Sequence, residues 1–199
     1  AIRIPLIDGY AFVDLGDALP AGLRVFVSDN LLEAEGRPDN VVGLMAMAFA
    51  THCLSVHVAD GSEIAAPIGL FHGTGDSAAL AACQHDVVIG KEARVSLIER
   101  YWQKDNQPYQ NSAMTRLSIG DGAHVTYVMT QEVGAGATHL GQINVTLGAD
   151  ARLTLLVLNA GGKLVRQEVR VKVAGEGADF QLRAVNLIGD DQHIDLTMD

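Results

Sequence analysis

The stretches GKEARVSL (residues 90–97), GDGAHVTY (120–127), GADARLTL (148–155) and GEGADFQL (175–182) are four copies of one cassette, Gly-x-x-Ala-x-Φ-x-Φ with Φ apolar. Their starts are 30, 28 and 27 residues apart. A cassette recurring at such a period predicts a stacked solenoid, in which each repeat buries its apolar face only against its neighbours. Aligned, the copies place Val95, Val125, Leu153 and Phe180 in one column and Leu97, Tyr127, Leu155 and Leu182 in another. Between them fall Ser96, Thr126, Thr154 and Gln181, and before them Arg94, His124, Arg152 and Asp179. Successive strand side chains point to opposite faces, so the columns predict an apolar inner wall and a polar outer one. The leading Gly suits a tight bend, and the small Ala lets the chain turn into the strand.

A second alternating run precedes each new Gly: Val87 to Ile89, Arg116 to Ile119, Asn144 to Leu147 and Val169 to Ala174. Each repeat therefore supplies at least two strands. Equivalent strands of successive repeats run the same way and pair at about 4.8 Å, which predicts an all-β parallel β-helix. The last run is displaced by one residue, which a bulge or a longer corner absorbs.

Working toward the N-terminus, Gly61 lies 29 residues before Gly90 and marks a degenerate coil in which Ile64 stands for the small Ala. The coils are expected over 61–199. Residues 1–60 read as a cap segment of short strands (Ile2 to Ile7, Tyr10 to Leu15, Leu23 to Val27) with one helix at about 40–50. Asp39 or Asn40 is its expected N-cap, and Val41, Leu44, Met45 and Ala48 form its apolar stripe, part of the core or a cover for the solenoid mouth. The stretch from Gly73 to Cys83 is expected to be a surface excursion. The chain begins at Ala1 and stops at Asp199 inside an alternating run, which predicts one structural domain truncated at its C-terminus, with solenoid ends prone to self-association.

With 48% apolar residues in 199, the chain can bury on the order of 70% of its unfolded surface in one core. A formal charge of −10, with only 14 Lys and Arg, argues against a nucleic-acid partner. No apolar stretch reaches the ~18 residues of a membrane span, and two cysteines 30 residues apart make no disulfide framework, which agrees with a cytoplasmic setting.

Chemistry-bearing motifs are few. Gly73-Thr-Gly75-Asp-Ser-Ala78 imitates a phosphate loop ahead of the helix-prone Ala78 to Ala82, but no βαβ unit surrounds it. His52, Cys53 and His57, with Cys83 and His85, are zinc- or iron-binding residue types, yet C-x-x-C and H-x-x-x-H are both absent. A site would need the two segments to converge, and scattered histidines and core cysteines are the simpler reading. The outer column Arg94, His124, Arg152, Asp179 could serve a glycan-active β-helix enzyme, a polysaccharide lyase or hydrolase, but it has no companion carboxylate cluster. No catalytic or metal residue is assigned, and cofactor-binding residues are left unknown.

Several stretches together resemble a known family. Leu97-Ile-Glu99-Arg-Tyr101, Ala123-His-Val-Thr-Tyr127, Gly161-Gly-Lys-Leu-Val-Arg166, Gly175-Glu-Gly-Ala178 and Gln192-His-Ile-Asp195 are similar to the SufB/SufD family of iron–sulfur cluster assembly proteins, as are Ala48-Phe-Ala, His57-Val58 and Ala66-Pro-Ile68 upstream. The Gly-Gly-x-Leu-x-Arg and Gly-Glu-Gly-Ala stretches, and a lack of cysteine within the coils, resemble the SufD side. The resemblance implies a right-handed β-helix and a non-catalytic scaffold role in the Suf complex. It further implies pairing with a SufB-like paralogue and docking of a SufC-type ATPase through a region beyond these coils. No cofactor is expected on this chain alone, the cluster being handled by the full complex. His193 sits in a family motif, with a coil corner as its expected place.

Overall fold

The structure, a computed structural model, describes residues 2–6, 9–14, 20–33, 40–74, 80–103, 107–189 and 191–199. Two sheets face each other across one apolar interior. The first runs β1 (Ile2–Leu6), β2 (Gly9–Asp14), β5 (Ile68–Thr74), β7 (Arg94–Trp102), β9 (His124–Glu132), β11 (Arg152–Ala160), β13 (Asp179–Leu187). The second runs β3 (Leu23–Ser28), β4 (Cys53–Val58), β6 (Leu80–Ile89), β8 (Tyr109–Ile119), β10 (Ala137–Leu147), β12 (Leu164–Val173), β14 (His193–Met198). From β4 onward every strand pair is parallel, and the chain alternates between the sheets in a β-solenoid of about five turns. Among the described residues, the antiparallel pairs are β1–β2, β2–β5 and β3–β4, at the N-terminal edges of the two sheets.

The cassette columns are the rungs of the first sheet. Val95, Val125, Leu153 and Phe180 are consecutive register partners, as are Leu97, Tyr127, Leu155 and Leu182. The first three of each set are buried. In the second sheet Ile143, Val145 and Leu147 pair with Val169, Val171 and Val173 without a break. The extra residue of the last repeat is Ala174, so a longer corner absorbs it and no bulge is needed.

The leading glycines owe their identity to stacking rather than to the bend itself. A Cβ on Gly120 would lie 2.7 Å from the backbone nitrogen of Lys91 in the preceding coil, and one on Gly90 2.5 Å from that of Asp60. The left-handed backbone sits two residues after each leading glycine, at Glu92, Gly122, Asp150 and Gly177, and also at Gly61, with φ between 55° and 74°. Gly61 therefore takes the place of Glu92 and not of a leading glycine, and Ser62, not Ile64, stands for the small Ala, since Glu63 pairs with Arg94.

Helix α1 (Val41–Phe49) starts at Asn40, whose side chain accepts from the Gly43 amide. It packs on the outer face of the second sheet against β6, β8 and β10, so it flanks the solenoid instead of covering its mouth. Its buried residues are Val42, Gly43 and Ala46, while Val41 and Leu44 of the expected stripe are exposed. The helix is apolar nearly all round, and close docking selects its small residues: a Cβ on Gly43 would meet the Gln142 side chain at 2.5 Å. Gln142 donates to the Asn40 side chain at 2.7 Å, tying cap to sheet.

Register-neighbour charges stitch the outside. Arg116 makes two bonds to Asp86 (2.9 and 2.8 Å), and Arg166 reaches Asp195 at 2.7 Å. Each exposed pair contributes little. Val185, Leu187 and Met198 in β13 and β14 are more than half exposed. Among the described residues, no helix is long and apolar enough to cross a membrane.

Candidate functional site

Alternation carries polar side chains into the interior near the first coils. On β5, Ile68 and Leu70 point inward and so does His72; on β6, Cys83 and His85 precede the inward Val87 and Ile89. On β7 the inner columns of Val95 and Leu97 continue to Glu99 and Tyr101. All five polar residues are buried, and Glu99 is 1% exposed.

Glu99 is the hub. Its Oε1 lies 3.2 Å from His72 Nε2 and 3.1 Å from His85 Nδ1, and accepts from the Tyr101 hydroxyl at 2.7 Å. Its Oε2 accepts from the Tyr127 hydroxyl. His85 Nδ1 also lies 3.0 Å from Thr115 Oγ1, and His72 stacks on Tyr101 with ring centroids 4.3 Å apart. Potential ligand atoms of His72, Cys83 and His85 all lie within 4.8 Å of one another. His139, one coil on, accepts from Asn111 at 3.0 Å and faces Tyr101 at 4.8 Å.

The electrostatics follow from these contacts. Burial opposes the Glu99 charge, but His85, with hydrogen bonds from His72 and His85, holds the carboxyl well below its usual range. Burial likewise opposes a charged His85, and Cys83 and Glu99 outweigh it, raising the imidazole to about 10. The Cys83 thiol is drawn down to about 6, against burial, by His72 and His85. Burial pushes Tyr101 and Tyr127 well above 10, reinforced by Glu99. For His139 burial outweighs the opposing pull of Gln167 and Glu99 and lowers it to about 4.

Of the five residues weighed from sequence, only Cys83 and His85 enter this cluster. β4 and β6 are neighbours, but Cys53 is in register with Gln84 and faces outward, beneath α1 with Leu32, Ala46 and Met114. His57 meets the ring of Phe26 at 5.0 Å, and His52 lies 3.7 Å from Asp29 at the surface. Segments 52–57 and 83–85 thus adjoin in the sheet while presenting opposite faces. Cys83 also corrects the reading that the coils lack cysteine: it stands in a coil strand, facing inward. His72 and Glu99 escaped the sequence reading, although extending the alternation of Ile68–Leu70 and of Val95–Leu97 by one or two steps marks both.

Gly73 and Thr74 end β5 and Leu80 to Ala82 open β6, so the expected excursion shrinks and the helix a phosphate loop requires is replaced by strand. The centre of that motif lies outside the described residues. Arg94, His124, Arg152 and Asp179 form one outer rung, with Glu63 paired to Arg94, and Arg94 Nη1 is 2.9 Å from His124 Nδ1. The carboxylates of Glu63 and Asp179 stand four rungs apart, about 19 Å at about 4.8 Å per rung. Paired glycosidase carboxylates work at about 5–9.5 Å, so this column cannot do that chemistry. His193 opens β14, its amide bonded to the Lys163 carbonyl, at the strand start next to a corner.

Residues 71–199, the greater part of the chain and nearly all of the stacked coils, match the SUF system FeS cluster assembly, SufBD core domain. The chain belongs to the SufBD family. A curated relative, an iron-sulfur cluster assembly SufBD family protein of Synechocystis sp., is 24% identical over 110 residues. That match covers 51% of this chain and 24% of the relative, so the chain spans about a quarter of the protein it resembles. The SufBD core match begins at Phe71 and takes in His72, Cys83, His85 and Glu99.

Proposed function

We propose that this chain is the β-solenoid part of a scaffold subunit, without catalysis of its own, in a cytoplasmic Suf-type iron–sulfur cluster assembly complex. One observation carries the reading: the family core coincides with the stacked coils, whose outer walls carry charge pairs between register neighbours. Such a body suits pairing with a SufB-like paralogue, with a SufC-type ATPase docked through regions beyond these coils. The Gly161-Gly-Lys-Leu-Val-Arg166 and Gly175-Glu-Gly-Ala178 stretches lean toward the SufD kind. The iron–sulfur cluster is cargo of the whole complex.

The test is co-purification of the full-length protein with a SufC-type ATPase and a SufB-like partner. A stable complex is expected. Absence of both partners, with depolymerisation of an acidic glycan by the purified protein, overturns the reading in favour of a glycan-active enzyme.

A further inference from the structure

The interior cluster has a geometry that scaffolding does not require. His72, Cys83, His85 and Glu99 bring two nitrogens, one sulfur and one oxygen together from three strands on two facing sheets. We propose that these four residues bind one borderline-soft divalent cation, of the Zn2+ or Fe2+ type, inside the solenoid.

Distances support a tetrahedral fit. Bonds of about 2.0–2.3 Å to N, O and S place tetrahedral ligand atoms about 3.3–3.8 Å apart. Glu99 Oε1 already lies 3.2 and 3.1 Å from the two imidazoles, and the His–Cys–His donors all fall within 4.8 Å. The donor types suit the same ions: imidazole, thiolate and carboxylate together favour zinc and iron over Mg2+ or Ca2+, which prefer oxygen alone. Cys83 and Glu99, both anionic as ligands, balance a 2+ charge in the buried site.

The surroundings complete the site. Tyr101 and Tyr127 hydroxyls hold the Glu99 carboxylate, the kind of outer-shell support that orients metal ligands. His72 is 7% exposed, and its Nδ1 has no hydrogen-bond partner among the described residues. A satisfied structural histidine would have one.

The experiment uses the full chain, stripped with chelator and dialysed against Zn2+ or, anaerobically, Fe2+. Metal is supplied both to the native protein and during refolding, because binding at buried sites is coupled to folding. Co2+ serves as a spectroscopic probe. One equivalent per chain is expected, with a thiolate-to-cobalt charge-transfer band and intense visible bands of a tetrahedral site. Cys83→Ser should abolish the charge-transfer band, and His85→Gln should weaken Zn2+ binding by about 100-fold or more, the upper range for losing even an outer-shell partner. Cys53→Ser, on the outer face of the same sheet, should leave both signals unchanged. A wild-type chain with native circular dichroism that takes up no stoichiometric metal in any arm overturns the proposal. So does a cobalt band that survives Cys83→Ser and disappears with Cys53→Ser. Neither result touches the partner co-purification, so the scaffold reading stands or falls separately.

Discussion

Replacing Glu99 by Gln preserves side-chain volume and removes one buried charge, so its effect isolates the electrostatics of the hub. The carboxylate faces four donors, two imidazole nitrogens and two tyrosine hydroxyls. The amide offers one acceptor oxygen and turns its NH2 toward groups that themselves donate. Removing one partner of a buried ionic set typically costs about 3–5 kcal/mol. With no cavity created, about 3 kcal/mol is the expected loss. At a urea dependence of about 2 kcal/mol per molar, the unfolding midpoint falls by about 1.5 M. The assay is equilibrium urea unfolding in the presence of chelator, followed by far-ultraviolet circular dichroism and by the fluorescence of Trp102, the single tryptophan. Coincident curves from the two probes license a two-state treatment. Tyr127→Phe, which removes one donor of the four, should cost about 1–2 kcal/mol. A midpoint shift below about 0.5 M for Glu99→Gln, or a larger loss for Tyr127→Phe than for Glu99→Gln, refutes the assignment of Glu99 as the charged centre.

Leu153 is 1% exposed, so Leu153→Asp should abolish the cooperative transition by placing an unpaired carboxylate in the apolar interior, while Thr154→Ser on the outer wall should stay within about 0.5 kcal/mol. Gly120→Ala should cost about 1–3 kcal/mol because its Cβ presses on the Lys91 backbone. Gly122→Ala should cost about 1–2 kcal/mol through its φ of 65° alone, whereas Glu92→Gly, at φ 57°, should gain a few tenths to about 1 kcal/mol, all read as urea midpoints. His139 is held neutral in the fold, at about 4 against an ordinary 6.5, so it takes up its proton more readily when unfolded. Its contribution is complete above about pH 6.5 and is lost as pH falls toward 4, about 3 kcal/mol in all; His139→Gln should flatten that part of the stability profile, and an unchanged slope refutes it. The exposed Val185, Leu187 and Met198 should make the chain associate at high concentration, and light scattering showing a strict monomer would count against this.

The solenoid was legible because stacking repeats the same constraint in every coil. Val125 and Leu153 had to share a sheet and an interior if the cassettes lay atop one another, and they are register partners, both buried. Two features resisted the same logic. Helix α1 occurs once, so no second copy distinguishes its buried face from its exposed one, and apolar residues all round left periodicity uninformative. The corner glycines were assigned to chain reversal because sequence shows a bend before it shows a neighbour. The distance from Gly120 to Lys91 exists only after coils stack. The interior cluster lay between these cases. Glu99 and Tyr101 continue the Val95–Leu97 column, and Cys83 and His85 precede Val87 at the same alternation, so the pattern pointed inward while the residue types argued for the surface.

That conflict bears on why the cluster exists. The rung holding Glu99 runs Leu70, Glu99, Met129, Val157, so the fold accepts an apolar side chain at this position in the coils on either side. On the rung of His85 the next coil supplies Thr115, its hydrogen-bond partner, and the later ones the apolar Ile143 and Val169. Apolar replacement of a buried ionic set is commonly neutral or stabilising, so stability gives no reason for charge here. At the Glu99 position the neighbouring coils show that the backbone holds Leu or Met, while the rung of His72 continues as Tyr101, Gln131 and Asn159 and that of Cys83 as Ala113, Gly141 and Gln167. What apolar residues could not do is present two imidazoles, a thiol and a carboxylate to a single point. A chain carrying Leu or Met in place of His72, Cys83, His85 and Glu99 together should therefore keep the solenoid's circular dichroism and cooperative unfolding while losing the metal stoichiometry that the wild type is expected to show. If that combined variant instead fails to fold, while single apolar replacements elsewhere on the same rungs are tolerated, the cluster is structural and the argument from its chemistry fails.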